Sequence, residues 1–218
     1  MLIGLALTFF SLSVYFGKKG LKALIDNNQL PLVILTILAL IIAWNFRAFM
    51  SKSSAEAMVG LSFHFFGASL LVVMFGLWEA IALLFITSLF AVLLVTADIQ
   101  ETATHFLQVG VLPAFISASI IFLINRNFPK HLFVFILGRG YVAGLASTLI
   151  SGLLIAAYYA FINDTPFGGK DPVGWFVGLL VLSFTEGSLS GMLIAIFTIY
   201  KPQWVRTYSS KSYIGIDL

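Results

Sequence analysis

Long apolar runs separated by short polar stretches fill this sequence from end to end. A helix needs about 20 mostly apolar residues to cross the hydrocarbon core of a bilayer, and most of the runs approach or exceed that length. The pattern therefore predicts an all-α fold, a polytopic membrane helix bundle of about seven transmembrane helices that forms a single integral membrane domain, residues 1–218. The runs are Leu2–Phe16, Leu30–Phe46, Gly60–Glu79, Ala80–Ala97, Phe106–Ile124, Leu132–Ile162 and Val173–Tyr200.

Glycine, proline and other small residues mark where these helices turn, bend or approach one another. Gly76 and Glu79 predict a tight turn between the third and fourth helices, and Pro113 predicts a kink or a late start in the fifth. Leu132–Ile162 is too long for one upright span, so we predict a tilted or extended helix. Its small residues would let another backbone approach closely, either within the bundle or from a partner. They are Gly138, Gly140, Gly144, Ser147, Ser151 and Gly152.

The composition agrees with a chain whose main solvent is lipid. Hydrophobic residues make up 60% of the sequence and charged residues only 10%, whereas a soluble domain carries about 25% charged residues. Cysteine is absent, which excludes disulfides and thiolate metal sites and leaves imidazole, oxygen or backbone nitrogen as metal ligands. The basic residues are scattered at helix ends without forming a patch, so nucleic-acid binding is not expected.

The basic residues favour one orientation of the bundle in the membrane. Basic loops stay on the cytoplasmic side, and the alternating spans place nine Lys and Arg residues on one face against three on the other. This bias predicts an amino terminus outside the cell and a carboxyl terminus in the cytoplasm. The inner set is Lys18, Lys19, Lys22, Arg126, Lys130, Arg139, Lys201, Arg206 and Lys211, and the outer set is Arg47, Lys52 and Lys170.

The predicted topology collects nitrogen donors and carboxylates on the outer face. The amine of Met1, the imidazole of His64 and an acidic loop with Asp98, Glu101 and His105 all fall on that side. An amine and neutral imidazoles suit nickel, cobalt, copper or zinc. We therefore predict a divalent-metal site with Met1, His64 and His105 as ligands and Asp98 and Glu101 as secondary candidates.

Less specific roles fit the same residues. A histidine near a helix end, such as His64, often bonds a neighbouring carbonyl, and polar loops carry histidines such as His105 without any ligand. Asp98 and Glu101 also fit solvated loop acids. His131 falls on the inner face beside Pro129 and Lys130, where an interfacial residue is expected.

Glu186 is a second unusual position, because it is a carboxylate near the middle of the last span. Placing such a group in a bilayer costs at least a few kcal/mol, so it should be paired, protonated or facing a polar cavity. A structural link between helices is favoured over direct ligation of a metal. Arg139 is the nearest opposite charge in sequence depth, but it lies about 10 Å lower at 1.5 Å rise per residue.

Three stretches of the chain resemble a family of membrane proteins. Phe63–Ser69 (FHFFGAS) with Phe75–Trp78 (FGLW) resembles the histidine-bearing helix of the CbiM-type substrate-binding subunits of energy-coupling-factor cobalt and nickel transporters. Thr185–Met192 (TEGSLSGM), followed by Tyr200–Trp204 (YKPQW), is similar to the last helix of that family. Gln108–Pro113 (QVGVLP) is a weaker match.

The resemblance implies a bundle that captures a divalent cation, cobalt or nickel, at its outer face. In the family the metal is held by nitrogens of an amino-terminal Met-His pair and by a histidine of the helix matching Gly60–Glu79, which transfers the amine of Met1 and His64 to this chain. The second histidine of the pair is Leu2 here. His105 or the loop carboxylates could replace that imidazole, or the substrate could be another metal.

The resemblance also implies partners in the inner, cytoplasmic membrane of a bacterium. These are a transmembrane coupling subunit and a pair of cytoplasmic ATPase subunits. Because this chain has no GxxxxGK[ST] motif, we expect it to bind no nucleotide and to draw its energy from a partner.

Two other classes of function stay open. A membrane enzyme built around Glu186 and a histidine lacks the HExxH and GxSxG motifs that would support it. An accessory or assembly subunit of a larger membrane complex, with a degenerate metal site, is the stronger alternative.

Overall fold

The computed structural model describes residues 1–50, 67–93, 97–163, 171–209 and 213, and within these ranges the chain forms seven helices and no strand. The prediction of an all-α bundle of about seven helices is confirmed, and four of the helices are long and apolar enough to cross a membrane. The helices are α1 (Leu2–Asp26), α2 (Leu30–Met50), α3 (Ala68–Phe75), α4 (Leu77–Leu93), α5 (Ile99–Asn127), α6 (residues 132–163) and α7 (Pro172–Tyr200).

The two shortest helices, α3 and α4, occupy the centre of the bundle. Every residue of α3 is buried, because this helix packs against α4, α5, α6 and α7. Helix α4 packs in addition against α1 and α2, so these lie on one side of the centre and α6 and α7 on the other. The outer helices expose large apolar side chains, as expected where the surroundings are acyl chains.

Gly76 breaks the predicted third span and separates α3 from α4. Its φ of 104° lies in the left-handed region, which glycine adopts without a steric penalty. The predicted turn is therefore present, but Glu79 belongs to the first turn of α4 rather than to the end of one Gly60–Glu79 helix. Residues 60–66 of that predicted helix lie outside the described residues.

Helix α1 is longer than predicted, because it continues past Phe16 to Asp26. Its buried positions keep a helical spacing through Ser13, Gly17, Gly20 and Leu24, while the lysines among them remain exposed. The basic residues that follow the apolar run thus extend the helix instead of ending it.

Helices α5 and α6 each contain a π-helical segment. In α5 this segment is Phe106–Val111, directly before Leu112 and Pro113. Since Pro113 has no N–H to donate into the preceding turn, a local widening of the helix is the expected response. The fifth helix also begins at Ile99, seven residues before the predicted start at Phe106. Most of the predicted acidic loop is thus part of this helix.

Gly140 and Gly144 of α6 face α7 inside the bundle. A Cβ atom on Gly140 would lie 2.9 Å from the Cα of Gly191, and one on Gly144 would lie 3.1 Å from the Cα of Gly187. These contacts place the two backbones close together, as the sequence predicted. The Gly140–Gly144 face is therefore filled by α7, which removes it as the surface for a partner helix.

The segment after α7 folds back beneath the end of α3. The backbone N–H of Arg206 donates to the carbonyl of Met74 at 2.8 Å, and the hydroxyl of Thr207 donates to the carbonyl of Val73. These bonds satisfy carbonyls that the helix end would otherwise leave without a donor. Arg206 also forms an ion pair with Glu79 at 3.5 Å.

Candidate functional site

Aromatic contacts show the direction in which α1 runs along α4. Phe10 stacks on Phe85 with ring centroids 4.2 Å apart, and Phe16 stacks on Trp78 with centroids 4.9 Å apart. The later residue of α1 thus contacts the earlier residue of α4, which means that these two helices are antiparallel. Met1 therefore lies where α4 ends and α5 begins, a part of the bundle named here the Met1 end.

The structure brings Met1, Asp98 and Glu101 to this end. Met1 is fully exposed and precedes the first residue of α1. Asp98 caps α5, and its carboxylate accepts a hydrogen bond from the N–H of Gln100 at 2.7 Å. Glu101 is exposed in the first turn of α5, where its charge interacts favourably with the helix dipole. Asp98 and Glu101 thus help to stabilise the start of α5.

His105 lies deeper than a residue of an exposed loop would. It is half-buried, one helical turn beyond Glu101, and its Nδ1 is 3.3 Å from the hydroxyl of the buried Ser88. Its ring meets Trp44 of α2 edge to face, with centroids 5.0 Å apart. His105 therefore joins α2, α4 and α5, and the side chain is positioned by contacts from three helices.

His64 lies outside the described residues. Within the described part of the chain, no group of three or more His, Asp or Glu side chains is arranged to hold a metal ion. The predicted ligand set of Met1, His64 and His105 stays a prediction.

Glu186 is buried at the midpoint of α7, with 1% of its surface exposed. Its Oε1 accepts a hydrogen bond from the backbone N–H of Gly67 at 2.9 Å, while Oε2 has no hydrogen-bond partner among the described residues. Gly67 is the N-cap of α3, so the carboxylate lies at the positive end of that helix's dipole. A link between two helices, the favoured prediction for this residue, agrees with this bond.

The sequence did not identify Gly67 as the partner of Glu186. Gly67 has φ 108°, and a Cβ atom there would lie 2.3 Å from Cδ2 of Leu40. Only glycine fits this conformation and this space without rearrangement. The glycine directly before the mostly apolar stretch Ala68–Phe75 was the available indication in the sequence that a helix starts there.

Arg139 does not approach Glu186. Its Nε donates to Oδ1 of Asn125 at 2.8 Å, its Nη2 donates to the same oxygen, and its Nη1 donates to the carbonyl of Thr207 at 3.3 Å. The pairing that a tilted helix would have allowed is absent, because Arg139 turns toward the end of the bundle opposite Met1.

The family model described as CbiM, cobalt uptake substrate-specific transmembrane region, matches residues 1–204. No curated protein matches the chain. No solved structure matches it.

Proposed function

Because this chain belongs to the CbiM family of cobalt uptake substrate-specific transmembrane regions, we propose that it captures a divalent transition metal at the Met1 end for import. The match over residues 1–204 carries the proposal. Cobalt is the substrate that the family description names, and nickel is the second candidate because it binds the same nitrogen donors.

The ligands that we propose are the amine of Met1 and the imidazoles of His64 and His105. The common location of Met1, Asp98, Glu101 and His105 at one end supports this set. Leu2 stands where the family has an imidazole donor, so His105 or a carboxylate of Asp98 or Glu101 completes the coordination in this proposal.

Transport in this proposal needs further subunits in the bacterial inner membrane. A transmembrane coupling subunit and a pair of cytoplasmic ATPase subunits supply the energy, since this chain lacks a phosphate-binding loop. The chain itself then acts as a non-enzymatic substrate-binding subunit.

Metal binding by the purified protein tests this proposal. We expect the parent protein to bind cobalt or nickel and His64→Ala to lose at least about tenfold in affinity, because even loss of outer-shell partners weakens metal sites by that much. His131→Ala is the matched control, since the Nδ1 of His131 accepts a hydrogen bond from the N–H of Phe133 at the opposite end. Isothermal titration in detergent measures all three proteins.

Equal and negligible binding of cobalt, nickel, copper and zinc by the parent and His64→Ala would contradict metal capture. That result would support the accessory or assembly subunit instead.

Blocking the amine of Met1 with an added amino-terminal residue should weaken metal binding as well, without any change in an imidazole.

A further inference from the structure

Among the described residues, the groups that accept hydrogen bonds from the guanidinium of Arg139 are all neutral. The guanidinium donates to the side-chain oxygen of Asn125 and to the carbonyl of Thr207. Its Cζ lies 4.9 Å from the ring centre of Phe135 and 5.5 Å from that of Tyr213. Within the described part of the chain, the ion pair found joins Arg206 to Glu79 and leaves Arg139 without a carboxylate.

A small cavity opens beside this guanidinium, between the last turn of α5 and the start of α6. Its volume is about 20 Å³, enough for one oxygen-sized group. Lys130 lines the same cavity and is exposed, so a second positive charge stands near Arg139. Burial of the Tyr213 side chain raises the pKa of its phenol, which keeps that ring uncharged at neutral pH.

The surroundings of the cavity are apolar and exposed. Phe128 lines the cavity with 59% of its surface exposed, and Phe122, one turn before Asn125 on α5, is 62% exposed. A ligand at this position must therefore offer an anionic oxygen to Arg139 and Lys130 and an apolar body to the phenylalanines. A membrane phospholipid has both parts, whereas an acidic side chain of a protein partner has only the first.

We propose that Arg139, Lys130 and Asn125 form a binding site for the phosphate group of an anionic phospholipid. Basic pockets between transmembrane helices are suited to lipid headgroups, because the phosphate is neutralised at the depth where it already resides. The cavity takes one phosphate oxygen, and the acyl chain lies along Phe122 and Phe128. This site is at the opposite end from Met1 and does not depend on metal capture.

Native mass spectrometry of the protein released from mixed phosphatidylglycerol and phosphatidylcholine nanodiscs tests the proposal. We expect the parent protein to retain phosphatidylglycerol selectively and Arg139→Gln to retain about fivefold less, which corresponds to one basic group at the membrane surface. Arg126→Gln is the matched control, since Arg126 is an exposed basic residue in the last turn of α5 that does not line the cavity.

Lys130→Gln keeps the test valid if Arg139→Gln fails to fold, because Lys130 is exposed and its loss should also lower lipid retention. An excess of inorganic phosphate that leaves the lipid in place supports the lipid over a free phosphate. Equal retention by the parent protein, Arg139→Gln and Arg126→Gln would overturn the proposal and leave an acidic protein partner as the occupant. Equal loss in Arg126→Gln and Arg139→Gln would overturn it as well, by indicating general surface charge.

Discussion

At the scale of single residues, the carboxylate of Glu186 connects α7 to the start of α3 through one buried hydrogen bond. Glu186 stood out because a carboxylate in a span needs a partner, and the structure provides one in the N–H of Gly67. The partner comes from 119 residues away and is a backbone group. Hydropathy and charge describe side chains, so they carry no information about such a bond. Arg139, the partner suggested by charge alone, contacts Asn125 instead.

Two replacements of Glu186 test whether its hydrogen bond stabilises the fold, because both keep a side chain of similar size and only one keeps an acceptor oxygen. Glu186→Leu leaves the N–H of Gly67 buried without an acceptor, which costs about 1–3 kcal/mol. For a chain of this length we expect a fall in melting temperature of about 2–12 °C. Glu186→Gln keeps an acceptor oxygen and should lose less. Thermal unfolding in detergent measures both variants.

Gln100→Leu is the control for this pair, because Gln100 is an exposed, uncharged residue in the first turn of α5 whose side chain makes no buried hydrogen bond among the described residues. We expect it to melt within about 1 °C of the parent protein, since exposed substitutions change stability little. Equal melting temperatures for Glu186→Leu and Glu186→Gln would show that the bond to Gly67 is not what stabilises the fold.

At the scale of elements, hydropathy predicted the number of helices and the positions of the long ones. Leu132–Ile162 was predicted as one helix, and the structure has one continuous helix there. The errors lie where polar groups continue a helix or where backbone geometry interrupts an apolar run. Lys18 extends α1 as an exposed helical residue, and Gly76 ends α3 in the middle of an apolar segment. A hydropathy pattern does not show that Lys18 lies on the exposed face of α1, and it does not show that Gly76 has a positive φ.

The contact between α6 and α7 depends on glycine, which gives a prediction for this pair of helices. A Cβ atom on Gly187 would lie 2.8 Å from the carbonyl oxygen of Tyr141 and 2.9 Å from Cβ of Leu145. Gly187→Ala must therefore separate the helices or strain the backbone, at a cost of about 1–3 kcal/mol. We expect a lower melting temperature in detergent than for the parent protein.

Gly4→Ala is the matched control for the glycine contact. Gly4 lies in α1, and no neighbouring atom of the described residues lies within 4 Å of the position that a Cβ would take. Alanine favours a helix over glycine by about 1 kcal/mol, so this variant should melt at the same temperature or slightly higher. If Gly187→Ala also melted at or above the parent's temperature, close packing by glycine would not be what holds α6 to α7.

At the scale of the whole molecule, the antiparallel arrangement of α1 and α4 separates two ends with different chemistry. The Met1 end carries Asp98 and Glu101, and the opposite end carries Lys201 and Arg206. Lys201 and Arg206 belong to the set that the basic-residue count assigned to the cytoplasm. The charge distribution therefore predicts that the Met1 end faces outward and the opposite end faces the cytoplasm.

Cysteine labelling in intact cells tests this orientation, and the absence of native cysteine removes any background. Gln100 is exposed in the first turn of α5 at the Met1 end, while Asn27 and Ser209 are exposed at the opposite end. Because positive charges resist translocation, we expect Gln100→Cys to react with a membrane-impermeant maleimide from outside. Asn27→Cys and Ser209→Cys should react only after the membrane is permeabilised. The reverse pattern would put the acidic, histidine-bearing end in the cytoplasm, where it could not collect metal from outside.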